Sequence, residues 1–141
     1  MKRLLIILAI LIFAAPAMAQ TMYDANQATI GWDAVTKLAD GTTIPAANTV
    51  KYQVYTKPNS VATGVKVGTE ITATQLLISF AVEGAYFIGV EALRYNGPAL
   101  VSKSPLSWSD VPANCQGGVA FGINYWQSLM QAGGLRRVVT P

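Results

Sequence analysis

An alternating run at residues 83–92 constrains the fold of this chain more than any other segment. Its tyrosine, Tyr86, follows the turn residue Gly84 and opens a pattern in which every second residue is apolar. Residues 86, 88, 90 and 92 would share one face of a strand, because successive side chains of a strand point to opposite faces. A tyrosine that opens an apolar face in this way is typical of the tyrosine corner of β-sandwiches. The run therefore predicts a sandwich of antiparallel sheets.

The stretch from residue 28 to residue 109 contains further short strand patterns separated by turn residues, at the spacing of an all-β sandwich or barrel. Strands are predicted at residues 28–33, 50–55, 64–69, 76–80, 86–93 and 100–109. Lys66 suits an edge strand, since charge discourages pairing with other chains. Pro105 cannot donate a ladder hydrogen bond, so the last strand is expected to be an edge strand or to bend there. The predicted core comprises Ile30, Trp32, Tyr52, Val54, Leu76, Ile78, Phe80, Tyr86, Ile88, Val90 and Ala92.

This pattern resembles the fibronectin type III family. The resemblance is carried by Trp32, Tyr52, Val54, Phe80, Tyr86 and Val90, with Ala92 and the closing segment 104–107. It covers residues 20–112 and implies an immunoglobulin-like, seven-stranded Greek-key sandwich that serves as a spacer, adhesion module or binding scaffold. The first strand is hardly visible in the sequence, so strand A is expected to be short or missing. The resemblance transfers no ligand.

Residues 1–19 have the three parts of a secretory signal peptide: Lys2 and Arg3, an apolar run, and the small residues Ala17 and Ala19 around a cleavage site. The apolar run is shorter than the roughly 20 residues of a spanning helix, so an uncleaved anchor is the weaker alternative. We therefore expect a secreted, periplasmic or cell-surface protein without a stable membrane anchor after cleavage.

Charged residues give no sign of chemistry. The chain contains no histidine, the commonest general base, and its seven acidic residues are spread singly. Without Lys2 and Arg3, eight basic residues remain against seven acidic ones, scattered rather than clustered, so nucleic-acid binding is not expected. Nothing in the sequence points to a catalytic, cofactor-binding or metal-binding residue, and we expect a protein that is not an enzyme.

Aromatic residues at predicted outward or loop positions are the candidates for a ligand site. They could stack on sugar rings, or they could be cross-strand neighbours that cover the sheet surface. The candidate sugar-stacking residues are Tyr55, Phe87, Tyr95 and Trp108.

A tail at residues 113–141 follows the predicted sandwich. Phe121, Tyr125 and Leu129 recur at four-residue spacing, which predicts a short helix within residues 119–132. Its apolar residues could pack on their own domain or dock on a partner. Cys115, the only cysteine, could pair between chains or be a reduced thiol without a role. The candidate partner-binding residues are Cys115, Phe121, Tyr125, Trp126, Leu129, Arg136 and Arg137.

Together, these features predict a non-enzymatic, exported module that acts as a structural, adhesive or protein-binding component of a cell envelope, an appendage or a phage-related assembly. A protein partner or self-assembly is expected. The alternative is a carbohydrate-binding accessory module that uses exposed aromatic residues.

Overall fold

The computed structural model describes residues 20–58 and 63–127, which form an all-β fold of two sheets. The larger sheet contains β1 (Thr21–Asp24), β3 (Asn48–Pro58), β4 (Val65–Ile71), β6 (Gly84–Asn96), β7 (Ala99–Lys103), β8 (Ser107–Trp108) and β9 (Phe121–Tyr125). The smaller sheet pairs β2 (Gln27–Gly31) with β5 (Gln75–Ser79). Two 3₁₀ turns, Pro112–Asn114 and Gln116–Gly118, lie between β8 and β9. The expected all-β class is confirmed.

Strands β3 and β6 form the centre of the larger sheet, and they pair antiparallel along their length, from Asn48 opposite Asn96 to Pro58 opposite Tyr86. The alternating patterns that predicted both strands arise because each strand has one face on the smaller sheet and one face turned away from it. At the start of β6, the Tyr86 hydroxyl donates a 2.5 Å hydrogen bond to the carbonyl of Val82. This bond ties the strand to the turn that precedes it.

The two sheets pack on each other through branched aliphatic side chains. Ile30 of β2 and Ile78 of β5 meet Val54, Ile88 and Ile123 of the larger sheet in one buried cluster. Phe80 closes this cluster, and its ring centroid lies 4.7 Å from that of Tyr86. Each large side chain buried in this way contributes about 1.5–3 kcal/mol.

The eleven expected core residues fall into two groups. Seven are buried: Ile30, Tyr52, Val54, Ile78, Phe80, Ile88 and Ala92. The other four, Leu76, Trp32, Tyr86 and Val90, are partly exposed and pack against the core. Trp32 meets Tyr52 edge-on at 5.5 Å between ring centroids.

The second neighbour of β6 is a strand in three pieces, β7, β8 and β9. At each break a serine satisfies both backbone groups of one β6 residue. Ser104 donates its N–H to the Ala92 carbonyl and accepts the Ala92 N–H on its hydroxyl, and Ser109 does the same for Ile88. The expected bend at Pro105 lies between β7 and β8.

The predicted helix in the tail is wrong at residues 121–125, which form strand β9. Strand β9 pairs antiparallel with residues 84–86 of β6 and parallel with all four residues of β1. The unpaired start of β6 offers backbone hydrogen bonds there, and the alternation of Phe121, Ile123 and Tyr125 turns these apolar side chains toward the core. The larger sheet therefore extends past residue 112 to Tyr125.

Candidate functional site

The acidic side chains on the outer face of the larger sheet are occupied by neighbouring residues. Glu91, buried on β6, accepts a 3.1 Å hydrogen bond from the Tyr55 hydroxyl and forms a 3.0 Å ion pair with Lys103. Burial and the hydrogen bond to Glu91 raise the pKa of Tyr55 above its ordinary value of 10.0. The same carboxylate raises the pKa of Lys103 through its hydrogen bond and its charge. Glu91 therefore joins β3, β6 and β7.

A similar arrangement lies nearer the end of the strands. The Tyr95 hydroxyl is 2.9 Å from both carboxylate oxygens of Glu70, and this hydrogen bond raises the pKa of the tyrosine. Lys51 lies 4.8 Å from the centre of the Tyr95 ring and 3.9 Å from Glu70. These contacts link the edge strand β4 to β3 and β6, so Glu70 also has a structural partner.

Trp108 lies in a slot on this outer face. Its ring covers Gly89 of β6, and its far edge reaches Gly64. The Lys57 ammonium is 4.6 Å from the ring centre and 2.7 Å from an Asp110 carboxylate oxygen. A cation over an indole and a short ion pair fix the ring from above, while the missing side chains of two glycines make room below.

The four candidate sugar-stacking residues all lie on this outer face, but their surfaces are largely engaged. Phe87 is 2% exposed, so the expectation of an outward, accessible ring is wrong for it. The reason is that Phe87 meets strand β9 at Gly122, which has no side chain to displace the ring. The hydroxyls of Tyr55 and Tyr95 are taken by glutamates, and Trp108 has glycine on one side and a lysine near its ring.

The candidate partner-binding residues of the tail are divided by the structure. Phe121 and Tyr125 pack against the core cluster, whereas Trp126 is 62% exposed. Leu129, Arg136 and Arg137 lie outside the described residues. The structure therefore places two of the proposed contact residues in the sandwich itself.

Cys115 lies in the segment between β8 and β9. Its thiol is within hydrogen-bond distance of the Ser109 carbonyl, at 3.3 Å, and of the Val111 carbonyl, at 3.6 Å. Burial raises the pKa of this thiol, which disfavours the reactive thiolate. The geometry is that of a hydrogen-bonded thiol that helps to close the segment on Ser109.

A cavity of about 550 Å³ opens at the end of the sandwich where β6 and β7 join. Its floor is the inner face of β3 and β6, where Val50, Ala92 and Arg94 lie. Its roof is the segment between β2 and β3, which is pinned by a hydrogen bond from the Val35 N–H to the Tyr52 hydroxyl at 2.9 Å. The cavity is within the 300–1,000 Å³ range of small-molecule sites. Sequence reasoning missed it because its residues come from four separate segments.

Strand β7 contributes Ser102 and Lys103 to the cavity wall and also carries exposed apolar side chains. All five residues of β7 are exposed, and Leu100 and Val101 retain 51% and 49% of their accessible surface. Val35, at the cavity wall, is 40% exposed. We name this region, comprising the cavity, Leu100 and Val101, the loop-end surface.

Among the described residues, no group of three or more histidine, cysteine, aspartate or glutamate side chains could hold a metal ion. None of the helices in residues 20–58 and 63–127 is long and apolar enough to span a bilayer.

No protein-family model matches this chain. No curated protein matches it either.

Proposed function

We propose that this chain is an exported, non-enzymatic module of the fibronectin type III kind that binds a protein partner through its loop-end surface. It would serve as a structural or adhesive component of a cell envelope, an appendage or a phage-related assembly. The two packed sheets, the bond from Tyr86 to Val82 and the edge contact of Trp32 with Tyr52 support the family part of this proposal.

The state of the acidic residues supports a role without catalysis. A general acid or base has to reach its substrate with a free carboxyl or carboxylate group. Glu91 and Glu70 are each held by a tyrosine and a lysine, and Asp110 is paired with Lys57. In this arrangement the charges join strands to one another.

The observation that carries the proposal is the exposure of apolar side chains on β7. A strand that protects itself from other chains usually carries charge or proline. β7 ends on Lys103, which is paired with Glu91, whereas Leu100 and Val101 are about half exposed and directly precede Ser102 at the cavity wall. Exposed apolar surface of this kind marks protein contact sites when it is contiguous.

The test replaces both residues by threonine, a β-branched residue that is favoured in strands and that reduces the apolar area. The variant Leu100→Thr/Val101→Thr and the native protein would be expressed in the exporting cell and treated with a membrane-impermeant cross-linker. We expect the native protein to form a cross-linked species of defined mass and the variant to lose most of it. Leu77→Thr is the matched control, because Leu77 is 57% exposed on the smaller sheet.

Equal cross-linking of all three proteins would contradict the proposed binding surface. Equal loss in the loop-end variant and in Leu77→Thr would also contradict it, because the contact would then follow general apolar exposure.

A further inference from the structure

The cavity of the loop-end surface combines apolar walls with an arginine that has no anionic partner. Val35, Leu38, Ile44, Val50, Ala92 and Pro105 supply the apolar part of the lining. Arg94, at the end of β6, also lines the cavity, and it forms no ion pair within residues 20–58 and 63–127.

The Nε atom of Arg94 is buried and has no hydrogen-bond partner in the described part of the chain. A buried polar group without a partner is costly, and such groups are few in native proteins. A guanidinium has five N–H donors in a planar fork that matches a carboxylate with two parallel hydrogen bonds. Arg94 therefore lacks the partner that its chemistry favours most.

The remaining charges of the lining leave this end of the molecule positive. The Lys103 ammonium is neutralised by Glu91 on the outer face. Asp40 accepts hydrogen bonds from the backbone and the hydroxyl of Thr42, which lower its pKa and keep it ionised. Lys37 also lines the cavity, so the formal charges of Lys37 and Asp40 cancel and Arg94 contributes the net positive charge.

We propose that this cavity binds an apolar group that carries a carboxylate, with the carboxylate on Arg94 and the apolar part against Val35, Leu38 and Ile44. A phosphate is less suited to the cavity, because phosphate sites gather several cationic or N–H donors and this lining has one uncompensated cation. The inference rests on the proposed function and deepens it, since it names the chemistry of the contact at the loop-end surface.

Two sources could present this chemistry: the C-terminal carboxylate of a partner chain that ends in an apolar residue, or a free aliphatic acid. N-acetyl-L-leucine represents the first and hexanoate represents the second. N-acetyl-L-leucine amide is the matched neutral probe, because it has the same apolar group and lacks the negative charge.

The experiment follows the Arg94 Nε–H signal of the ¹⁵N-labelled, purified protein by NMR during titration with each probe. We expect saturable shifts with at least one carboxylate, with a dissociation constant on the order of 1 mM for so small a ligand. The neutral amide should bind at least about tenfold more weakly, since hydrogen bonds to charged groups are worth that much. Tighter binding of N-acetyl-L-leucine than of hexanoate would indicate that the natural ligand is the C-terminus of a partner chain. Tighter binding of hexanoate would indicate a free aliphatic acid.

Arg94→Gln should weaken carboxylate binding about tenfold or more without changing the binding of the amide, and Arg94→Lys should recover part of the loss. Lys66→Gln, on exposed β4, is the matched control and should bind as the native protein does. If Arg94→Gln does not fold, titrations of the native protein still test the inference, because they compare the affinities of the carboxylate and of its neutral amide directly. Equal binding of acid and amide, or no saturable shift of the Arg94 signal with either acid, would overturn the inference. The threonine variant of β7 tests the proposed function separately.

Discussion

The contact between Gly89 and Trp108 allows the sharpest test of how the outer face is packed. A Cβ atom added at Gly89 would lie 2.7 Å from both Cε3 and Cζ3 of the Trp108 ring and 3.0 Å from Cδ2. Carbon atoms in optimal contact are about 3.5–4.0 Å apart, so the ring would have to lift by about 1 Å. Gly64 at its far edge and Lys57 above it restrict that movement.

The expected cost of Gly89→Ala follows from two opposing terms. Overpacking of this kind costs about 1–3 kcal/mol. Replacing a glycine whose backbone another residue can adopt gains about 0.4–1 kcal/mol, because the unfolded chain loses freedom. The free energy of unfolding should therefore fall by about 1–2 kcal/mol, measured by urea denaturation with an unchanged m-value.

A double-mutant cycle distinguishes a clash with the Trp108 ring from a loss of stability that any side chain at position 89 would cause. In a Trp108→Ala background the three ring atoms nearest to the added methyl group are absent, so Gly89→Ala should be neutral or stabilising by up to about 1 kcal/mol. Gly31→Ala is the matched control, since its Cβ would meet only the Thr74 carbonyl at 3.7 Å. An equal loss of stability from Gly89→Ala in both backgrounds would refute the packing argument.

Three further predictions concern the broken strand, β9 and the two tyrosine hydroxyls that donate to glutamates. Ser109→Ala should lower the free energy of unfolding by about 1–3 kcal/mol, because the Ile88 N–H loses its acceptor; Ser109→Thr, which keeps a hydroxyl, should retain part of it. Truncation after Ala120 should abolish cooperative unfolding, monitored by circular dichroism, since it removes β9, and an unchanged melting temperature would contradict the fold. The pKa values of Tyr55 and Tyr95 are raised from 10.0, so the stability they confer is present below pH 10 and is lost as the pH rises through the raised values. Phenylalanine at both positions should flatten this alkaline loss in denaturant titrations.

The sequence was most informative where a strand has two different environments. In β3 and β6 one face meets the core, so apolar residues recur there with a period of two, although residues of the other face such as Gln53, Phe87 and Glu91 are buried as well. Tyr52 and Val54 follow this rule, and both are buried. The turn before Tyr86 was a second, independent indication of where β6 begins. The structure explains it, because the Tyr86 hydroxyl donates a hydrogen bond to the Val82 carbonyl in that turn.

Strand β9 could not be recognised because its pattern is ambiguous at short range. Residues four apart lie on one face of a helix, and they also lie on one face of a strand. Phe121 and Tyr125 satisfy both rules, and only Ile123, between them, favours the strand. The preference is decided by the open edge at the start of β6, which lies about 40 residues earlier in the chain. The residues around β9 therefore carry no sequence signal of that edge.

The candidate functional surface could not be recognised from the sequence either. The acidic residues are scattered, so their partners could not be paired before the register of the strands was known. Glu91, one of these scattered residues, is 8% exposed and held by Tyr55 and Lys103. Arg94 was one of several dispersed basic residues, and its distinction, a buried Nε beside an apolar cavity, depends on the segment that covers it.

The topology separates the part of the sandwich that closes the fold from the part proposed to bind. β1 pairs in parallel with β9, so the larger sheet is completed only when residues about 100 positions apart in the chain have met, which is a slow kind of contact to form. This closure takes place beside Tyr86, whereas Arg94 lies eight residues further along β6, at about 3.3 Å per residue roughly 26 Å away. Substitutions at sites so far apart have additive effects on stability. The loop-end surface can therefore change its residues, and with them its ligand, while the closing pair β1 and β9 continues to hold the fold.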